Sequence, residues 1–254
     1  MHTYLIEKEM LDTSMAKNKI LDIRSLREQV YEYLRSEIQQ GRIVPGSFIQ
    51  LNAISERLGV SKTPLRDAII QMECEGFVTI LPRRGVVVNK LTLAEIKNVL
   101  EIVGALESAV IVSVFDQIRS AQLRHMEKIN RQMRAQLKSD QFDHFDQEFY
   151  RLNITFHDVF LDLSANTSLR QIIMPIKQRL YDFPRPSYIR EWERVNCDEH
   201  DQLIEYIKAG EREKAASLWR DEHWSFTAHE ASIREFYSLG NKQIQAQRDQ
   251  DRHP

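Results

Sequence analysis

Four residues crowd the start of one predicted helix: Ser61, Lys62, Thr63 and Arg66, with Pro64 set among them. Hydroxyls and the unpaired N–H groups of a helix start hold phosphate oxygens, while Lys62 and Arg66 are long enough to reach base edges. A second basic point follows at Arg83-Arg84-Gly85. Arginine suits the negative potential of a minor groove, and glycine lets a backbone come close to it. A Lys/Arg pair on a helix is as often a solvated face. The second basic point beside it is what turns the reading toward nucleic acid. The two cysteines, Cys74 and Cys197, stand far apart with no C-x-x-C pair. They read as buried thiols, not as a disulfide or a zinc ribbon.

The elements that must carry these residues are legible in the spacing. Leu26, Val30, Tyr33, Leu34 and Ile38 recur at helical intervals, and Gly41 with Pro45-Gly46 ends that helix. Ile54 and Leu58 give a short helix closed by Gly59-Val60. The next helix opens at Ser61-Lys62-Thr63-Pro64, with proline in the first turn where its missing N–H costs little, and buries Leu65, Ala68, Ile69 and Met72. Phe77-Val78-Thr79-Ile80 and Val86-Val87-Val88 are β-branched runs around Leu81-Pro82-Arg83-Arg84-Gly85, a hairpin with a basic tip. Helix, helix, turn, helix, hairpin is the order of a winged helix-turn-helix. After a short link near 89–92, Thr92 and Glu95 read as a capping box, and only helices follow: 92–118, 119–138, 141–164, 167–183, 188–209 and 211–236.

The fold class is therefore mostly α, a winged helix-turn-helix ahead of an all-helical bundle. The expected division is an N-terminal extension over 1–20, the DNA-binding domain over 21–90, the helical domain over 91–236 and a flexible tail over 237–254. A hydrophobic share of 42% and a charged share of 28% are those of a globular protein. The net charge of −2 excludes a wholesale basic footprint, and residues 22–90 carry ten basic against eight acidic side chains. So small an excess favours two heads on a palindrome over one acting alone. The first twenty residues hold no signal-peptide core and no apolar run approaches a membrane span, so the expected location is cytoplasmic.

The stretch from Gly41 to Leu91 resembles the GntR family of repressors. It carries Gly41, Pro45-Gly46, then Ile54-Ser55-Glu56-Arg57-Leu58-Gly59-Val60-Ser61-Lys62-Thr63-Pro64-Leu65-Arg66-Asp67-Ala68-Ile69, Glu75-Gly76-Phe77-Val78 and Arg84-Gly85 at the family's intervals. The resemblance implies DNA contacts at Asn52, Ser61, Lys62, Thr63, Arg66, Arg83, Arg84 and Gly85. Two positions depart from it. Asn52 stands where the family usually has a base-reading arginine, and Lys62 replaces an arginine and loses its bidentate fit to guanine. The operator is expected to differ accordingly.

Residues 92–235 resemble the FCD domain of the FadR subfamily, through Asn153-Ile154-Thr155-Phe156-His157, Asn166-Thr167-Ser168-Leu169 and Glu199-His200-Asp201-Gln202-Leu203-Ile204. In such domains an aspartate and three histidines enclose a divalent metal, and imidazoles suit zinc or nickel. The implied ligands here are Asn153 in the aspartate's place, His157, His200, and either Glu222 or His223. Ungapped spacing and the apolar stripe Ala215, Leu218, Trp219 and Phe226 favour Glu222; chemistry favours His223. His125, His144 and His229 have no motif support and are expected at the surface or an interface.

Val103 occupies the place of an arginine that often holds an effector carboxylate, leaving Arg151, Arg179 or Lys177 to replace it. The resemblance implies a homodimeric repressor of a metabolic operon, not an enzyme, governed by a small effector, by default an organic acid. Two other readings stand beside it. One is a metal-dependent hydrolase using Glu107 or Glu199 as base; the other is a regulator whose metal site has degenerated to a polar core.

Overall fold

A capping box starts the first helix, α1 (Leu26–Gln39): the Glu28 N–H donates to the Ser25 hydroxyl and the Ser25 N–H donates back to the Glu28 carboxylate. The structure, a computed structural model, describes residues 25–139, 142, 147–181 and 189–238. The expected N-terminal extension, His144 and the tail from 239 lie outside the described residues. α1 lays Val30, Leu34 and Ile38 against Leu65, Ala68, Ile69 and Met72 of α3 (Lys62–Cys74). Between them α2 (Leu51–Leu58) ends at Gly59 in the left-handed conformation (φ 64°).

β1 (Val78–Leu81) and β2 (Gly85–Val88) pair antiparallel, Val78 facing Val88 and Leu81 facing Gly85. The chain entering α2 lies along β2, the Ile49 N–H donating to the Val86 carbonyl and the Val88 N–H to the Ser47 carbonyl. The wing is thus tied to the start of α2, where Asn52 sits. Residues 30–88 close one apolar core around these elements.

A second core is built on α4 (Leu93–Val114), again opened by a capping box, Thr92 with Glu95. A 3-10 turn (Phe115–Gln117) leads to α5 (Ser120–Gln136), α6 (Gln147–Leu161), α7 (Thr167–Tyr181) and α8 (Arg190–Lys208). Contrary to the expectation that no apolar run approaches a membrane span, α4 with the 3-10 turn after it is long and apolar enough to cross a bilayer, but more than half of its most apolar stretch is buried in the bundle.

The single helix expected over 211–236 is broken. α9 (Arg212–Ser217) passes into a π-helical turn, Leu218–His223, and the chain turns again before α10 (230–238). The Trp224 N–H reaches back five residues to the Trp219 carbonyl, so one extra residue is wound into the turn.

Candidate nucleic-acid interface and metal centre

At the head, α3 and the wing enclose a groove of about 580 Å³. Asn52, Lys62, Arg66, Arg83 and Gly85 line it together. Ser61, Thr63 and Arg84 are exposed beside it. Ser61 precedes α3 in extended conformation, yet its side chain makes no capping bond. Lys62, Arg66, Arg83 and Arg84 form no ion pair among the described residues. The wing turn closes through the Arg84 N–H to the Leu81 carbonyl, with Pro82 second and Arg83 third. Arg83 takes a φ of 61°, a region that penalises any side chain. A glycine would sit there at no cost, so an arginine there points to use.

Inside the bundle, His157 of α6, His200 of α8 and His223 of the π turn bring ligand nitrogens within 4.8 Å of one another, all three buried. Each ring is aimed by its other nitrogen. His157 Nδ1–H donates to Glu107 Oε2 (2.8 Å) and His223 Nδ1–H to Glu199 Oε2 (2.8 Å). His200 Nδ1–H donates to Asn130 Oδ1 (3.3 Å). Asn130 must present its oxygen, because its Nδ2 donates to the Cys197 carbonyl and to Asp201. Stacking fixes the ring planes: His200 lies 3.8 Å from Phe156 and His223 lies 4.0 Å from Trp219.

Burial, and then the nearby Lys177 charge, push His157 down to about 3; burial also holds His200 well below its usual value. Both are neutral at pH 7, with Nε2 lone pairs directed inward. Those two Nε2 atoms are buried without a hydrogen-bond donor. A buried acceptor left bare is costly unless an ion or water completes it. Neutral imidazoles held through Nδ1–H are the arrangement that binds zinc or nickel. The residues fit a divalent metal.

Glu107, fully buried, is the hub beneath the triad. Besides His157 it accepts from Trp219 Nε1 (2.8 Å), Trp224 Nε1 (2.9 Å) and Lys177 Nζ (2.6 Å). Burial would raise its pKa, but Lys177 and His157 hold it far below the carboxylate range. For Glu199 burial also opposes ionisation, and the bonds from His223 and His229 outweigh it, bringing it to about 2. Gly104 makes the hub possible: a Cβ there would come within 2.9 Å of Trp224 Cβ.

Several expectations need correction. Glu222 is exposed and stands outside the triad, because the π turn advances the register by one residue and carries His223 inward. Asn153, the fourth implied ligand, stays an expectation: it lines a cavity beside His223 with its Oδ1 buried. His229, expected at the surface or an interface, is 7% exposed and lies 3.3 Å from Glu199. Nothing in sequence spacing marks it. Cys74 is exposed, whereas Cys197 is buried as expected and its thiol is pushed up to about 12 by burial.

The three candidate anion anchors are engaged elsewhere: Arg151 with Glu148, Arg179 with Glu95, Lys177 with Glu107. Val103 lies in the core of α4. Glu107 and Glu199, the bases of the hydrolase reading, are committed elsewhere: Glu107 to His157, Lys177, Trp219 and Trp224, and Glu199 to His223 and His229.

Fold and site together define a winged helix-turn-helix head followed by a helical domain that buries a histidine triad. The FCD domain model matches residues 98–223, and the model described as "Bacterial regulatory proteins, gntR family" matches residues 26–88. The chain belongs to the GntR family, as a transcriptional regulator with a GntR DNA-binding head and an FCD domain, and not as an enzyme.

It is 29% identical over 164 residues to the HTH-type transcriptional repressor RspR of Escherichia coli (strain K12), covering 63% of this chain and 72% of that protein. It is 26% identical over 188 residues to the HTH-type transcriptional regulator YdhC of Bacillus subtilis (strain 168), covering 74% and 83%. Among solved structures, E. coli McbR/YncC superposes with a TM-score of 0.59 at 18% identity, covering 89% of this chain and 99% of that one. At that identity the likeness is one of fold.

Proposed function

We propose that the protein is a cytoplasmic homodimeric repressor whose two heads bind a palindromic operator. Asn52, Ser61, Lys62, Thr63, Arg66, Arg83, Arg84 and Gly85 touch DNA. His157, His200 and His223 hold a zinc or nickel ion, and a small organic acid binds beside it, within reach of Asn153. The observation that carries the sensing half is the pair of buried Nε2 atoms turned toward His223. A degenerate polar core would not keep three imidazoles oriented by Glu107, Asn130 and Glu199.

The dimer reading rests on α4, whose outward side presents Ile102, Ala105 and Ala109 to solvent. Ile102 is 44% exposed on that side, and a second copy packed there covers it together with the two alanines, leaving Lys97, Asn98 and Glu101 at the rim. The working division is the head over 21–90 and the sensor over 91–236. Coupling between them runs through the last turn of α7. There Lys177 bonds Glu107, Leu180 lines the cavity, and Arg179 bonds Glu95 while its guanidinium packs on Gly76 of the head, where a Cβ would meet it at 2.9 Å. A ligand that favours one position of that turn shifts the heads only by its difference in affinity for the two arrangements.

The test is a gel shift on the chain's own upstream DNA, with and without zinc, nickel and small acids. Binding that changes with metal or acid is expected. No binding at low salt overturns the DNA reading, and binding indifferent to every addition overturns the sensing reading.

A further inference from the structure

We propose that the cavity beside His223 takes a short amino acid, with its carboxylate toward the metal and its ammonium toward Glu193. The proposal rests on the reading of His157, His200 and His223 as metal ligands.

The cavity, about 60 Å³, is walled on its apolar side by residues such as Trp192 and Trp224 and carries polar groups from Asn153, Glu193, Asn196, His223 and His229, the last turned toward Glu199. A space of that size holds a few waters or a ligand of a few heavy atoms, which excludes large polyacids. Among the described lining residues there is no lysine or arginine. An acid is therefore held by the metal, whose charge imidazole ligands do not cancel.

The far end of the cavity has the opposite character. Glu193 is only 6% exposed, and Asn196 Nδ2 donates to its Oε2 (2.9 Å), fixing the carboxylate. On α8, positions 193, 196 and 200 fall on one face, so Glu193, Asn196 and the ligand His200 follow one another toward the metal. Seven residues of helix are about 10 Å. Subtracting about 2 Å for a metal–oxygen bond and about 3 Å for an ammonium hydrogen bond leaves about 5 Å, the length of a short amino acid.

A second carboxylate placed there would face Glu193 in a poorly solvated space, a like-charge contact. An ammonium meets a counter-charge and indole-lined walls, which favour cations. The zwitterion satisfies both ends.

The test uses metal-loaded full-length protein in calorimetric titrations with two matched pairs, β-alanine against propionate and glycine against acetate. At least one amino acid is expected to bind about tenfold or more tighter than its partner acid. Glu193→Gln is expected to bring that ratio near unity with zinc content unchanged. Acids that bind as tightly as their amino partners, or zinc-loaded protein that binds neither, overturn the proposal. So does a Glu193→Gln protein that folds, keeps its zinc and preserves the preference. Protein that takes up no metal overturns the underlying metal reading instead, and a zinc assay run first tells the two failures apart.

Discussion

The head and the bundle hold their polar groups in opposite ways. In the head, Lys62, Arg66, Arg83 and Arg84 are exposed and form no ion pairs among the described residues. In the bundle, His157, His200, Glu107 and Lys177 are buried, and each is bound to a named partner. The difference teaches what each site waits for. Exposed unpaired cations suit a large, hydrated polyanion whose counterions are released on binding. Buried imidazoles with only one nitrogen satisfied suit a small ion that enters a prepared cage. Function and stability should therefore separate at the head and coincide in the bundle.

The largest effect is expected at the hub. Glu107→Leu leaves the Lys177 charge and the donors of His157, Trp219 and Trp224 without their acceptor, and should cost roughly 3–5 kcal/mol in chemical denaturation. A loss below 1 kcal/mol, on the order of an ordinary surface change, would break the comparison from the bundle side. Next comes Asn130→Ala, which frees the His200 ring while leaving all three imidazoles in place. Metal affinity should fall about 10–100-fold in a competition titration with a chelating dye. The smallest effect is at the wing. Arg83→Gly relieves a left-handed side chain and should gain up to about 1 kcal/mol of stability, while DNA binding weakens and its salt slope shrinks by about 1. Tighter DNA binding by that variant would show that the strained conformation serves the fold and not the operator.

Legibility in the sequence followed the same division. The residues proposed to touch DNA come from one short stretch, and Ser61, Lys62 and Arg66 are placed by the helix they themselves begin. Local spacing was enough to bring Asn52, Lys62, Arg66, Arg83 and Gly85 to one groove. His157 and His200 were also visible, through family motifs on regular helices. The last histidine was not fixed, because counting assumes an α-helical pitch and the π turn at Leu218–His223 adds a residue.

The hub was the least legible part. Glu107 is joined to His157, Lys177, Trp219 and Trp224 across separations of 50, 70, 112 and 117 residues, and no periodicity reports such pairings. His229 was missed for a related reason: its burial depends on the break after Trp224, where the spacing continued a single helix.

Metal analysis of the purified protein by mass spectrometry, run on wild type, His200→Ala, His223→Ala and Glu222→Ala, tests the central claim most directly. The account predicts a bound divalent ion in wild type and in Glu222→Ala, whose exposed position should also leave stability within about 0.5 kcal/mol. It predicts metal at background in both histidine variants. Metal retained by His223→Ala and lost by Glu222→Ala, or wild type that stays metal-free after incubation with zinc and nickel, would contradict it.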